Sequence, residues 1–464
     1  MDRIPIEIFD FILNELHPPY WGDTTNLELD GKADLAACTL VSRSWAELAQ
    51  RHLFRDTTYS FRASHDGPDI QTSRASGLVT PFRSRTLPML LEFLQQSPRF
   101  TRYIHRLTLD LWPQSRIPGL YRRGGSSAPW HVPTDVVDYN VLVTLLHSLP
   151  NLDSLRLYNM NTTEQTSISP LPNRLRLSHF SISNERDTYS LRRTQSCASF
   201  GGFSRLLDLV GAAKEFSAAW AKRGEEPSRI IIPIDIENLI FSLGDRFLPQ
   251  YAASKHADLR GVRRVIWGSS LPGRLLLYFQ GVIFNIGSQL VELRASFNLG
   301  YPPEPVSGRV PITPFVNLSS CNRLESFTLG LRGALLRGSH GLLAASNTIQ
   351  SLPQSPSRLR ELCVVLRFTL MGQRFDLRKW IIENAEPIRL LEESLVTLMD
   401  RCSPPLEYLI LRHKLFRNMA GTGARDELDM SPFVREMFPR LEETGRMRIL
   451  PLYPGLWETF QVGY

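Results

Sequence analysis

One short phrase returns along this chain and limits what it can fold into. "YIHRLTLDL" begins at Tyr103, "PNLDSLRLYNM" at Pro150, "RLSHFSIS" at Arg176 and "GVRRVIWGS" at Gly261. "SQLVELRASF" begins at Ser288, "CNRLESFTLGL" at Cys321, "SRLRELCVVLRF" at Ser357 and "PPLEYLILRH" at Pro404. Each fits the frame L-x-x-L-x-L with aliphatic or aromatic substitutes; anchors include Leu152/Leu155/Leu157, Leu324/Phe327/Leu329, Leu359/Leu362/Val364 and Leu406/Leu409/Leu411. The frame alone is common in a chain with this many aliphatic residues. Its context sharpens it: several copies open with Pro or Ser just before the first anchor, and polar residues fill the x positions. Alternation over a few residues is the pattern of a half-buried strand.

Amphipathic stretches lie between the copies. They are "DVVDYNVLVTLLHSL" (Asp135 to Leu149), "SRLLDLVGAAKEFSAAWAKR" (Ser204 to Arg223) and "KWIIENAEPIRLLEESLVTLMDR" (Lys379 to Arg401). A strand followed by a helix, repeated, cannot bury its apolar face alone, so neighbouring units must stack. The intervals are uneven, which predicts a degenerate array with insertions. The gap from Arg176 to Gly261 has room for one or two hidden copies, and "RIIIPIDIENLIFSL" (Arg229 to Leu243) supplies a strand and a helix start there. A non-repeat α/β domain would show similar alternation and stays open as an alternative.

The N-terminal stretch reads differently. "IPIEIFDFILNEL" places Ile8, Phe9, Ile12, Leu13 and Leu16 at helical spacing, with Pro5 suited to the first turn. His17-Pro18-Pro19 ends that helix, and Tyr20 to Lys32 reads as a loop. A second helix is expected over about 32–40 and a third carries Trp45, Leu48, Ala49 and Leu53, with Ser42 or Ser44 as its N-cap. Three short helices make a poor core by themselves, so this unit is expected to be covered by something else.

The pattern Ile4-Pro5-x-Glu7-Ile8, then Ile12 and Leu16, then Leu40-Val41-Ser42-Arg43-x-Trp45 ending in Leu53-Phe54, resembles an F-box. Its pairing with the recurring phrase is similar to F-box/leucine-rich-repeat proteins of the fungal type. The resemblance implies an α/β chain: a three-helix F-box over 1–56, a linker and first helix over 57–98, and a degenerate leucine-rich-repeat solenoid of parallel strands alternating with helices over 99–464. It also implies docking on the Skp adaptor of a cullin–RING ubiquitin ligase. Ile4, Pro5, Ile8, Leu16, Leu35, Leu40, Val41 and Trp45 would form or support the docking surface, and the repeat region would bind a target protein. The insert from Leu16 to Asp34 departs from the short turn usual in the family. A helical cap on the following domain, without ligase function, is the alternative role for these helices.

Composition narrows the chemistry. The formal net charge is +7, and only six of the 53 basic residues are lysine. The cations are spread along the sequence and form no stripe interleaved with aromatics, so a nucleic-acid partner is not expected. Five widely spaced cysteines without C-x-x-C argue against a zinc site or disulfide framework and for a reducing, intracellular compartment, cytoplasm or nucleus. Glu7, Asp10 and Glu15 interrupt the first apolar run, which is unlike a signal peptide. "LLLYFQGVIFNIG" (Leu275 to Gly287) is too short to span a bilayer, so no membrane partner is expected. No nucleophile elbow, Walker loop, H-E-x-x-H or dinucleotide fingerprint occurs. The chain is therefore read as non-enzymatic and free of cofactors. "AGTGARDE" (from Ala420) reads as a loop, Asp235 and Glu237 as a solvated strand edge or helix start, with acid–base work by the paired carboxylates as the functional alternative, and His52 and His105 as ordinary surface or half-buried histidines. The basic loops Tyr121 to Pro133 and Tyr189 to Gly202 read as inserts, with phosphorylation or arginine-mediated binding as the functional alternative.

Overall fold

The computed structural model describes residues 6–15, 34–61, 86–111, 137–158, 160, 162, 173–183, 206–219, 234–241, 252, 259–271, 273–298, 314–334, 339–354, 358–370, 377–402, 405–406, 408–418, 425–428 and 431–451. The chain divides into two compact units, Met1–Ile234 and Asp235–Val462.

The first unit opens with helix α1 (Ile6–Glu15), a helical turn over 34–38 and helix α2 (Arg43–Arg55). Strand β1 (Asp56–Phe61) follows α2 directly. Beyond it lie α3 (Leu87–Gln96), the one-turn α4 (Pro98–Thr101), β2 (Arg106–Leu111), α5 (Tyr139–His147), β3 (Ser154–Tyr158), β4 (Leu175–Ser183) and β5 (Val210–Ala219). The five strands pair in chain order, each parallel to the next. Parallel neighbours need a crossover between them, and α3 and α5 supply two.

The second unit repeats the scheme. Its elements are β6 (Asp235–Phe241), β7 (Arg264–Leu271), α6 (Gly273–Ile286), β8 (Glu292–Asn298), β9 (Ser326–Ala334), α7 (Ser339–Gln350) and β10 (Glu361–Leu370). They continue with α8 (Leu377–Glu383), α9 (Ala385–Arg401), β11 (Tyr408–Asn418), β12 (Arg425–Leu428), α10 (Ser431–Met437), α11 (Pro439–Glu443) and β13 (Met447–Pro451). β6 to β11 are parallel in chain order, β13 adds a further parallel strand on β11, and β12 pairs antiparallel with the other end of β11. The coarse expectation of an α/β chain with parallel strands alternating with helices holds.

All eight phrases fall on strands, with the first anchor one or two residues ahead of the strand in seven of them. The second and third anchors sit in register: Leu107, Leu155, Phe180 and Phe216 across β2 to β5, and Val265, Leu293, Phe327, Leu362 and Leu409 across β7 to β11. Every one of these is essentially inaccessible to solvent. In the second unit an aromatic column runs beneath them: Phe241 stacks on Trp267 at 4.4 Å, Trp267 meets Phe279 at 5.0 Å, and Phe297 stacks on Phe315 at 4.5 Å. Offset and edge-on contacts of this kind add to the burial term.

Four expectations need correction. Ser204 to Arg223 is not a helix over most of its length; Val210–Ala219 is strand β5. Its alanines favour a helix locally, but pairing with β4, Phe216 beside Phe180 and Ala213 beside Leu177, decides the outcome. The linker expected from residue 57 begins instead within strand β1, where Thr57, Tyr59 and Phe61 sit in register with Leu107, Leu109 and Leu111. β6 confirms the hidden copy in "RIIIPIDIENLIFSL", with Ile236, Leu239 and Phe241 as buried anchors, but Leu239 to Phe241 continue the strand where a helix start was expected. Arg425–Leu428 at the end of "AGTGARDE" is a strand rather than loop; residues 419–424 lie outside the described residues.

Two buried polar contacts tie the helices of the second unit together. Glu392 on α9 is buried, and its Oε1 accepts the backbone N–H of Arg440 at 2.7 Å and of Leu441 at 3.1 Å, capping the first turn of α11. Ser346 and Ser394 meet at 2.6 Å between α7 and α9. Phe327→Ala is expected to cost about 3–5 kcal/mol through the cavity it opens between β8 and β10, and Glu392→Ala about 1–3 kcal/mol through two orphaned N–H groups. Urea unfolding followed by fluorescence and circular dichroism measures both.

Candidate functional site

Among the described residues the core of the N-terminal helices is Leu13, Leu35, Leu48 and Ala49, with Phe9, Cys38 and Leu53 packed against it. A core of small helices such as these is marginal for an isolated domain. Two further ties hold the helices together. Asp10 Oδ1 lies 2.8 Å from His52 Nε2, linking α1 to the buried face of α2. Phe9 meets Trp45 edge-on at 4.4 Å. A three-residue turn follows the short helix over 34–38, closed by N–H groups of Thr39, Leu40 and Val41 donating to the carbonyls of Ala36, Ala37 and Cys38. Ser42 then caps α2 by accepting the Trp45 N–H at 3.3 Å.

That turn lifts two apolar side chains into solvent: Leu40 is 86% exposed and Val41 62% exposed. On α1 the pattern is equally informative. Phe9 and Leu13 face inward, while Ile8, Phe11 and Ile12, spaced to share one helix face, are all exposed, Phe11 at 63%. A helix that is apolar on both faces is expected to meet a partner on the outer one. Burying side chains of this size gains about 1.5–3 kcal/mol each.

The sequence-derived residues therefore separate. Ile8, Leu40 and Val41 are exposed and available for docking. Trp45 is half-buried against Phe9 and supports the turn from below. Leu35 is completely buried, so its part is to hold the core; it has no surface to offer a partner. Ile4, Pro5 and Leu16 lie outside the described residues, as do the Tyr20 to Lys32 insert and both basic loops. Phe11 is a residue that sequence reading passed over, although the i, i+3, i+4 spacing from Ile8 signals it.

The same helices adjoin the first strand. Phe54 stacks on Phe100 at 4.4 Å, and the Arg55 carbonyl accepts the His105 N–H at 3.0 Å. Between them opens a cleft of about 570 Å³ whose lining includes Asp10, Glu47, Arg51, His52, Arg102 and Tyr103. Arg55, Arg99 and His105 line it as well, and two charge pairs lie within it. Arg51 donates to Glu47 at 2.7 Å, which holds the guanidinium above its ordinary pKa, and its Cζ lies 5.9 Å from the Tyr103 ring centre. His52 is taken by Asp10. Nothing there combines a nucleophile with a base.

Among the described residues no group of three or more His, Cys, Asp or Glu is placed to hold a metal ion, and no helix is long and apolar enough to cross a membrane. Asp235 and Glu237 are both exposed at the start of β6. His52 is buried and His105 exposed. Burial pushes the Cys321 thiol up to about 12 and the Cys363 and Cys402 thiols up to about 11. The thiolate is the reactive form, and it is populated only as pH approaches the pKa. At pH 7–8 these three cysteines are therefore expected to resist thiol-specific alkylation in the native protein and to react fully once it is unfolded; peptide mapping after alkylation reads this residue by residue.

No protein-family model and no curated protein matches the chain.

Proposed function

We propose that this chain is the substrate-recognition subunit of a Skp–cullin–F-box ubiquitin ligase. The N-terminal helices act as an F-box that docks on the Skp adaptor, and the strand–helix alternation acts as a degenerate leucine-rich-repeat region that binds the target protein. The observation that carries the docking half is the exposure of Leu40 and Val41 on the turn before α2, beside a core that among the described residues consists of Leu13, Leu35, Leu48 and Ala49. The repeat reading is supported by the eight phrases, which fall on parallel strands in chain order with their anchors in register. The subunit performs no chemistry itself. It raises the effective concentration of target lysines near a charged ubiquitin carrier.

A second reading has its own support. The Phe54–Phe100 stack and the Arg55 carbonyl tie α2 to the start of the sheet, which is what a helical cap would do. One experiment separates the two. Co-expression with the Skp adaptor and pull-down is expected to give a stable complex, and Leu40→Asp is expected to abolish it with the thermal midpoint unchanged, because Leu40 makes no core contact. Trp45→Ala is expected to weaken the complex and also to lower stability, since its ring packs on Phe9. Adaptor binding that survives Leu40→Asp excludes docking through this turn and leaves the cap.

A further inference from the structure

The cleft beside the N-terminal helices carries more positive charge than its own carboxylates balance. Four guanidinium groups line it: Arg51 and Arg55, one turn apart on α2, and Arg99 and Arg102, three residues apart on α4 and just past it. The lining holds two carboxylates. Glu47 is engaged by Arg51 at 2.7 Å, and Asp10 by His52 at 2.8 Å. Among the described residues neither Arg99 nor Arg102 forms an ion pair. His52 is buried, and its Nδ1 has no hydrogen-bond partner there.

The fold asks for little of this charge. All four arginines are exposed, and a concave wall of low dielectric concentrates the field of like charges gathered on it. Arg99 has one packing role, since its Cζ lies 4.8 Å from the centre of the Phe100 ring. The guanidinium groups come from two separate elements. An anion seated between them takes donors from both sides and ties the end of α2 to the turn that enters β2.

The chemistry of the lining selects among anions. A carboxylate is planar, and one guanidinium fork satisfies its two oxygens. A phosphomonoester carries a charge of about −1.5 to −2 at pH 7 and three strong acceptor oxygens, which suits forks arriving from more than one wall. A nucleotide base needs a ring to stack on, and the Tyr103 ring already has the Arg51 guanidinium 5.9 Å from its centre. The volume of about 570 Å³ is that of a small-ligand site. Asp10 and Glu47 each use one oxygen in the pairs above, and a carboxylate has two with which to accept hydroxyl groups.

We propose that this cleft binds a small, hydroxyl-bearing phosphomonoester of the sugar-phosphate class, its phosphate held between the arginines of α2 and α4 and its hydroxyls facing Asp10 and Glu47. The inference goes beyond the function proposed above and needs neither adaptor docking nor a target protein.

The test is isothermal titration calorimetry on the full chain with D-glucose 6-phosphate as probe. The wild-type chain binds it, and glucose itself does not bind. The same ligand raises the thermal midpoint, because it binds the folded state. Arg102→Gln binds about tenfold more weakly, with its ligand-free midpoint unchanged because the side chain is exposed. Glu47→Gln binds about threefold more tightly, since it removes a negative charge from the lining and releases Arg51 to the ligand. Should Arg102→Gln lose its fold, Arg99→Gln shows the same weakening. No binding by the wild-type chain at millimolar ligand overturns the proposal, as does wild-type affinity in both arginine variants. Equal competition by sulfate overturns it in favour of an unselective anion site. Tighter binding of adenosine monophosphate overturns it in favour of a nucleotide, and tighter binding of a phosphoserine peptide overturns it in favour of a protein partner.

Discussion

The step from one parallel strand to the next is fixed at several places by single carbonyl oxygens that each accept two N–H groups. The His105 carbonyl takes the N–H of Asp153 at 2.8 Å and of Ser154 at 3.0 Å, and the Asp153 carbonyl takes Ser178 at 2.8 Å and His179 at 3.2 Å. In the second unit Arg263 serves Val291 and Glu292, Val291 serves Glu325 and Ser326, and Glu325 serves Arg360 and Glu361, each pair at 2.8 and 3.1 Å. Both lone pairs of the oxygen are used. This contact lies where pairing with the preceding strand begins, so it sets the register for everything downstream. A slip of one residue would turn Leu293, Phe327 and Leu362 to solvent and bring Glu292, Ser326 and Glu361 to the core. The backbone step and the apolar frame enforce the same answer, and that agreement lets the intervals between strands vary so widely.

The frame was legible because burial at two alternate positions, with a third anchor just before, leaves a fixed imprint on any sequence that folds this way. It fails where small residues stand in for large ones. β5 carries Ala213, Phe216 and Ala218 at positions where β4 carries Leu177, Phe180 and Ile182. Alanine marks no strand, so the helical periodicity of Leu206, Val210 and Ala213 dominated the reading. β1 failed for a related reason. Thr57 and Tyr59 occupy anchor register, and they read as strand only once β2 is known to lie beside them. Tertiary pairing, invisible in one sequence, decided both.

The N-terminal unit shows a different limit. Spacing identified which residues of α1 and α2 are apolar, but not which way they face. Leu13 and Leu35 went inward, whereas Ile8, Leu40 and Val41 went outward, and for Leu40 and Val41 the difference came from the turn at residues 39–41. That turn cannot be derived from apolar spacing. Its exposed leucine is nevertheless the strongest physical sign that the unit is unfinished without a partner. An 86% exposed leucine gains little for the fold.

Period-two alternation also separates fold from recognition. Inward positions carry the register and tolerate only apolar side chains, so they repeat. Positions of the other parity carry the polar variety, although Ser296, Thr328, Cys363 and Val365 among them are buried as well. Arg332, Arg367 and Lys414 register on adjacent strands, yet along the linear sequence they lie 35 and 47 residues apart, from Arg332 to Arg367 and from Arg367 to Lys414. A scan for basic runs cannot see such a row; only pairing in chain order brings the three residues to adjacent strands. The same backbone ladder that makes the frame readable thus hides which residues it brings together.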